Sequence, residues 1–311
     1  MRSLPFTILI ASLVVGCGGA QTALKTTAPT PAPAAATIAT EELAQEPATR
    51  IAVDTSNGTT LTGYAPAGEV VAERTIPGAW RVPTPVPGGP PEGLARNGTT
   101  VVLEPFGQSD DRSAFLLLDL TRPGSGTRIE LAGKFEYDAL APDGSYLYLT
   151  QRKGHGYLIR AFDLHAHELV EQPLVDKGGD GGDTMAGVPI ARTSSAAGDW
   201  IYTLYAVPGG TAFVHALVAG RLFTACIDLP RSTRGAEAGA WSIAVSGAGA
   251  SPLVVADGVT GKAYVVLDRD GWPYYHRAVP LAGTATGPPA IVFDGSRAIV
   301  RRGGVPTTIA A

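Results

Sequence analysis

The chain has 311 residues, a net formal charge of -4 and 17% charged residues. This mild negative charge, with no basic run longer than Arg301-Arg302, argues against a nucleic-acid partner. The 39 glycines and 25 prolines provide many turn signals, and long helical periodicities are absent. We therefore expect an all-β fold.

The chain opens with Arg2 and the apolar run "LPFTILIASLVV", which is too short to span a bilayer and is typical of a signal peptide. We predict that residues 1–16 are a lipoprotein signal peptide. The following Val14-Val15-Gly16-Cys17 resembles the lipobox of bacterial lipoproteins, which implies that Cys17 becomes the lipidated first residue of the mature chain. Two or more acyl chains would give a stable membrane anchor. The alternative is a cysteine that falls beside an ordinary cleavage site or within an uncleaved anchor.

Residues 17–49 carry the predicted anchor and an Ala/Thr/Pro-rich segment that we interpret as a disordered tether. Residues 50–311 remain for one β domain, which we expect to be monomeric. The predicted location is therefore extracytoplasmic, at the bacterial membrane.

Internal repeats organise this domain. The unit "FEYDALAPDGSYLYLTQRKGHGYLIRAFDLHAHELVEQPLV" predicts four short strands separated by turn residues. These strands cover residues 137–141, 146–151, 157–164 and 169–175.

The same plan recurs upstream and downstream, and each unit carries a turn glycine about 50 residues from the next, the scale of a four-stranded propeller blade. These glycines are Gly98, Gly144, Gly198, Gly249 and Gly295. We predict a β-propeller of five or six four-stranded blades, closed by strands from both ends of the chain. A pair of β-sandwiches is the structural alternative.

The run "DALAPDGSYLYLT", followed by "YLIRAFDL", resembles the repeats of bacterial WD40-like and YVTN-type β-propellers, including exported lipoproteins. The resemblance covers most of residues 50–311. It implies the architecture only, because propellers serve many unrelated functions.

Common catalytic signatures are missing from the sequence: it has no G-x-S-x-G, Walker P-loop, H-E-x-x-H or C-x-x-C motif. Asp163, His165 and His167 alternate and could share a divalent ion if the strand continued through them. The repeat alignment instead places both histidines in a solvated hairpin turn, which we favour.

Two loops contain aspartates that could be ligands of a Ca²⁺ ion. Asp176, Asp180 and Asp183 lie among glycines and are weak candidate ligands for Ca²⁺, although the loop has no EF-hand register. An inter-blade loop is the favoured interpretation, so we expect no cofactor. Asp268 and Asp270 are better interpreted as part of a hairpin turn.

Aromatic side chains cluster twice, and at strand spacing we expect them to pack between blades. They are Trp200, Tyr202 and Tyr205 in the first cluster and Trp272, Tyr274, Tyr275 and His276 in the second. An exposed subset could instead stack on a sugar or a peptide.

Cys226 lies in the strand-like "LFTACIDL" and is expected to be a small buried hydrophobic residue. Arg152, His155 and Arg160 near one hairpin suggest a weaker possibility, a site that senses a small ligand. The simpler interpretation is that they solvate the hairpin.

The combination of anchor, tether and repeat domain predicts a membrane-tethered propeller that acts as a binding scaffold for a protein or a cell-envelope component such as a glycan. The alternative is an exported, lactonase-like hydrolase, which the resemblance to YVTN-type propellers allows. Its site would be assembled from several blades at the central channel.

Overall fold

The computed structural model describes residues 47–310, except 123, 125, 155, 175–183 and 248–251. The predicted signal peptide, Cys17 and the tether up to residue 46 therefore lie outside the described residues. The described part of the chain consists of strands and one short 3₁₀ turn, Arg231–Thr233. It contains no helix with the length and apolar character needed to cross a membrane.

The strands form six antiparallel sheets, each built from consecutive strands. Sheet 1 contains β1 (Arg50–Asp54), β2 (Thr59–Tyr64) and β3 (Val70–Ile76), and sheet 2 contains β4 (Trp80–Arg81), β5 (Thr100–Pro105), β6 (Arg112–Asp119) and β7 (Gly126–Ala132). Sheet 3 contains β8 (Phe135–Leu140), β9 (Tyr146–Lys153), β10 (Gly156–Asp163) and β11 (Glu168–Leu169).

The second half of the chain repeats this plan. Sheet 4 contains β12 (Val188–Ser194), β13 (Trp200–Ala206), β14 (Phe213–Val218) and β15 (Phe223–Asp228). Sheet 5 contains β16 (Trp241–Val245), β17 (Leu253–Asp257), β18 (Lys262–Arg269) and β19 (Trp272–Pro280), and sheet 6 contains β20 (Ala290–Asp294), β21 (Arg297–Arg302) and β22 (Val305–Ala310).

This topology is that of a six-bladed β-propeller. Each sheet is an up-and-down meander, and the first strands of successive sheets lie side by side, as β12 does with β16 and β16 with β20. The propeller prediction is confirmed, and the β-sandwich alternative is wrong. Sheets 1 and 6 have three strands each instead of four. Within the described residues no sheet combines strands from both ends of the chain, so the predicted closure by a shared sheet is wrong.

The second strands of sheets 2 to 5 have continuous apolar runs because each of these sheets lies between two others and buries both faces. Sheets 1 and 6 differ, because in β1 and β20 every second residue is exposed. In β9, Leu147, Tyr148 and Leu149 are all fully buried. Their alternate side chains contribute to two separate hydrophobic clusters, with Leu147 and Leu149 in one and Tyr148 in the other. The core is therefore divided into layers between neighbouring sheets.

The turn glycines behave as predicted at four of the five positions. Gly98, Gly144, Gly198 and Gly295 have φ values of 72°, 77°, 74° and 59°, in the left-handed region that favours glycine. Each joins the first strand of a sheet to the second, so these turns share one end of the propeller. Gly249 lies outside the described residues.

One segment departs from the repeat plan. In sheet 2, the chain leaves the first strand, β4, after Arg81. It returns to the sheet at Leu94, which forms an isolated bridge to Val101. The intervening residues 83–91 include five prolines. This proline-rich loop lies against the first strands of other sheets and lines the interior of the propeller, as its cavity contacts show.

Candidate functional site

The first strands surround three cavities that follow one another along β12. Val188 and Pro189 line a cavity of about 310 Å³, here the mouth cavity, together with residues of sheets 2 and 3. Ile190 and Ala191 line a second of about 260 Å³ beside the proline-rich loop. Ser194, near the turn glycines, lines a third of about 570 Å³. These cavities mark the central channel of the propeller.

Arg192 lies in the middle of this channel and connects three sheets. Its guanidinium donates to Asp138 Oδ1 at 2.9 Å and to the Asp138 backbone carbonyl at 2.6 Å, both on β8. It also donates to Thr203 Oγ1 at 2.7 Å and to Glu92 Oε2 at 3.2 Å. The side chains of Arg192 and Asp138 are only 5% and 4% exposed. A guanidinium presents five donors in a fixed plane, which suits this multiple role.

The electrostatics of this junction favour the charged arginine. Burial alone lowers the pKa of Arg192, but the carboxylates of Asp138 and Glu92 more than offset this effect, so the pKa is raised. Burial also raises the pKa of Glu92, against the attraction of Arg192. The junction therefore concentrates two carboxylates around one fully charged guanidinium.

Asp138 retains one unused acceptor. Its Oδ2 atom is buried and has no hydrogen-bond partner among the described residues, whereas Oδ1 accepts from Arg192. Asp138 also lines the mouth cavity. Leaving a buried acceptor unsatisfied costs about 1–3 kcal/mol. A group in the cavity with an N–H or O–H could donate to this oxygen.

Two ion pairs line the same cavity. Arg81 contacts Glu104 at 2.8 Å, and Arg152 contacts Glu136 at 2.6 Å. Both arginines remain partly exposed, at 53% and 35% of the side chain. Each guanidinium has more N–H donors than its pair uses, so the cavity wall offers donors and acceptors side by side.

Glu104 is the most deeply buried carboxylate of these two pairs. Burial raises the pKa of Glu104, and the nearby Glu136 carboxylate raises it further, against the opposing effect of Arg81. A carboxyl group with a raised pKa in a cavity is a candidate acid or base.

Apolar side chains surround the opening. Val188 is 49% exposed and Phe106 is 52% exposed, and the Arg81 guanidinium lies 5.7 Å from the centre of the Phe106 ring. Pro85 and Pro87 of the proline-rich loop line the cavity wall. The opening therefore combines exposed apolar surface with paired charges.

The structure places the predicted histidine residues in a turn. β10 ends at Asp163, whose Oδ1 accepts from the backbone N–H groups of His165 and Ala166 at 2.8 Å. His165 and His167 are exposed. The favoured interpretation as a solvated hairpin turn is confirmed, and the metal interpretation is wrong.

The prediction that Asp268 and Asp270 belong to a hairpin turn is also confirmed. Asp268 Oδ1 accepts from the Gly271 backbone N–H at 3.0 Å, and Asp270 has a φ of 56° between β18 and β19. The calcium candidates Asp176, Asp180 and Asp183 lie outside the described residues. Among the residues that are described, no group of three or more His, Cys, Asp or Glu side chains is placed to hold a metal ion.

The first aromatic cluster packs between sheets as predicted. Tyr202 and Tyr205 are buried on opposite faces of sheet 4, in two different hydrophobic clusters, and Trp200 stacks on Tyr202. The second cluster is only partly internal. Trp272 is 50% exposed and packs edge-on against Phe223 of the neighbouring sheet.

The remaining candidates have different environments from those predicted. Cys226 is only partly buried, and its thiol contacts Met185 Sδ at 3.5 Å. Arg152 lines the mouth cavity instead of solvating a hairpin, because Glu136 on β8 holds it there. Arg160 donates to Gln151 and to backbone carbonyls, and His155 lies outside the described residues.

Sequence reasoning missed the Arg192 junction and the ion pairs of the mouth cavity. Arg192 meets Asp138 and Glu92 across 54 and 100 residues of sequence, so no local motif connects them. One usable signal was present. The five prolines of residues 83–91 interrupt the repeat at a first strand, the strand type that lines a propeller channel.

Comparison with known proteins gives only distant similarities. No protein-family model and no curated protein matches the chain. Among solved structures, the chain is similar to the Dos1 propeller, with 9% identity, a TM-score of 0.45, and coverage of 78% of this chain and 60% of that one. It is similar to the periplasmic gluconolactonase PpgL of Pseudomonas aeruginosa, with 15% identity, a TM-score of 0.39, and coverage of 80% and 72%.

A third similar structure is the Cps50 (Swd1) β-propeller domain of Myceliophteria thermophila. Identity is 11%, the TM-score is 0.41, and the match covers 83% of this chain and 81% of that one. At these values the similarities identify no activity or partner for the chain.

Proposed function

We propose that this chain is a membrane-tethered, extracytoplasmic propeller that binds a protein or a cell-envelope component at the mouth cavity. The observation that carries the proposal is Asp138, a residue of the cavity lining whose buried Oδ2 atom lacks a hydrogen-bond partner among the described residues. A partner that inserts an N–H or O–H group there would remove the cost of that unsatisfied acceptor.

The surroundings of Asp138 suit an inserted polar segment such as a peptide loop or a glycan. The Arg81–Glu104 and Arg152–Glu136 pairs supply donors and acceptors on the cavity wall. Exposed apolar atoms of Val188 at the opening would be covered on binding, which favours association through the hydrophobic effect. The tether and the lipid on Cys17 would hold the propeller at the membrane.

Site-specific photo-cross-linking tests the proposal. A photoreactive amino acid replaces Val188 at the opening or, as a matched control, Val292 on β20, which is 59% exposed. The two positions share residue type and exposure. We expect a discrete cross-linked species from position 188 in cells and none from position 292. Equal products from the two positions, or none from position 188, would contradict binding at the mouth cavity.

The second candidate function is an exported hydrolase with a lactonase-like reaction. The observation that favours it is Glu104, a buried carboxyl group with a raised pKa beside Arg81 in the same cavity. Such a group could act as a general base on water, while an arginine stabilises developing negative charge on the substrate oxygen.

A panel of lactones and esters tests this candidate with the purified chain. If Glu104 is the base, Glu104→Gln would lower kcat/KM by about 100-fold or more. The matched control is Glu130→Gln, at an exposed carboxylate on β7. No turnover by the wild type, or equal turnover by both variants, excludes Glu104 as the base.

A further inference from the structure

Sheet 4 contains a row of polar side chains that runs from the channel to the outer edge. Arg192 on β12 is directly opposite Thr203 on β13, Thr203 is opposite His215 on β14, and His215 is opposite Cys226 on β15. Residues directly opposite one another in an antiparallel sheet share a face. Thr203 and His215 are 2% and 1% exposed, so the row lies inside the interface between sheets 3 and 4.

The outer end of this row holds three soft or borderline donors. The Cys226 thiol lies 3.5 Å from the thioether sulfur of Met185, and the His215 imidazole belongs to the residue directly opposite Cys226. Met185 is held in place by its backbone, which exchanges two hydrogen bonds with Tyr157 at 2.8 and 2.9 Å. The sulfur pair is therefore positioned by sheet structure and not by a free loop.

We propose that Cys226, Met185 and His215 form a binding site for monovalent copper, Cu(I). Thiolate, thioether and imidazole are the donors that this ion prefers. In a trigonal site, two sulfur atoms that bind one metal ion at about 2.3 Å stand about 4.0 Å apart. The sulfur atoms of Cys226 and Met185 are 3.5 Å apart, so binding requires them to separate by about half an ångström.

The side chains around Cys226 and His215 favour a monovalent ion over a divalent one. The surrounding side chains are aromatic, with Tyr205 edge-on to His215 at 6.3 Å and Phe213 stacked on Tyr205 at 5.2 Å. Binding replaces the thiol proton of Cys226 with the metal and releases that proton to water. A thiolate with Cu(I) is then neutral, whereas the same ligands with Zn²⁺ keep a positive charge that an apolar interface disfavours.

Access to the site comes from the outer edge of sheet 4. Cys226 is partly exposed, whereas His215 is buried, so an ion would meet the sulfur atoms first. Within sheet 4, Cys226 and His215 lie on the two outer strands, β15 and β14, whereas the mouth cavity is lined by residues of the first two strands. The copper proposal is therefore independent of the function proposed for the mouth.

Competition with a coloured Cu(I) chelator tests the site. The full-length chain carries Cys17→Ala throughout, so that Cys226 is its one thiol, and copper is supplied with ascorbate under nitrogen with bicinchoninate as competitor. We expect one Cu(I) per chain, loss of binding in Cys226→Ser, and at least tenfold weaker binding in Met185→Leu and in His215→Phe. Thr224→Val, a buried change on the same strand, should bind like the parent.

Two results would overturn the proposal. The first is a parent chain that binds no Cu(I) in competition with bicinchoninate. The second is equal affinity in the parent and Met185→Leu, because that result leaves only a thiol that binds copper without the thioether.

X-ray absorption of the copper-loaded parent gives a check that needs no variant. Two sulfur scatterers and one nitrogen support the site, and a shell of nitrogen and oxygen alone contradicts it.

Discussion

Arg192 donates to the carboxylate of Asp138 at 2.9 Å and to the backbone carbonyl of the same residue at 2.6 Å. One side chain on β12 thus fixes both the charge and the backbone position of β8 in the neighbouring sheet. Since both partners are almost fully buried, the contact positions the channel wall on which the mouth cavity depends.

Removing the guanidinium should destabilise the propeller strongly. Arg192→Met leaves Asp138 and Glu92 without their cation, and breaking a buried ion pair in this way costs about 3–5 kcal/mol. The matched control is Arg112→Met, whose partner Glu130 is exposed, and it should cost less than about 1 kcal/mol. Urea denaturation measures both changes. Similar losses in the two variants would mean that the junction does not hold the channel together.

The buried carboxyl of Glu104 predicts a distinctive pH dependence. Its pKa is raised by burial, so there is a pH range in which the folded chain keeps this proton and the unfolded chain has lost it. The stability of the wild type relative to Glu104→Gln should therefore increase as the pH falls through the folded pKa toward 4.5. Urea denaturation across this range measures the difference.

Asp143 provides a control in which the pH dependence of stability has the opposite sign to that of Glu104. Hydrogen bonds from the Ser145 hydroxyl and backbone N–H lower the pKa of Asp143. The stability of the wild type relative to Asp143→Asn should therefore be lost as the pH falls through the folded pKa. If both variants gave slopes of the same sign, the assigned environment of one carboxyl group would be wrong.

Two glycines at the junction of sheets 5 and 6 form a matched pair. A Cβ on Gly258 would overlap the carbonyl oxygen of Gly287, whereas a Cβ on Gly287 has no atom within 4 Å. Gly258→Ala should cost about 1–3 kcal/mol through overpacking. Gly287→Ala should change the free energy of unfolding by less than about 0.5 kcal/mol. Thermal unfolding distinguishes them, and the reverse order of stabilities would contradict this packing.

Much of the fold was predictable because its signals are local. Turn glycines recur at one place in each repeat, and the strands of residues 135–163 follow the predicted pattern with shifts of one or two residues. The prediction failed at the fourth strand of that unit, which spans only Glu168–Leu169. The predicted ring closure by strands from both chain ends also failed, because these strands form the separate sheets 1 and 6. Strand pairing between chain ends depends on contacts that have no local signature in the sequence.

The candidate site was far less predictable. Arg152, Glu104 and Asp138 lie on different strands, and none belongs to a motif with fixed spacing. Their importance arises from burial and from the ion pairs that form when first strands meet around the channel. Met185 and Cys226 are also remote in sequence, 41 positions apart.

The proposed function depends most on Cys17, which would hold the propeller at the membrane. The decisive measurement is the intact mass of the mature chain from membrane fractions, for the wild type and for Cys17→Ala. We predict a mature chain that begins at Cys17 and carries the added mass of its acyl chains, and loss of both the added mass and membrane association in the variant. An unmodified wild-type chain in the soluble fraction would contradict the tethered propeller.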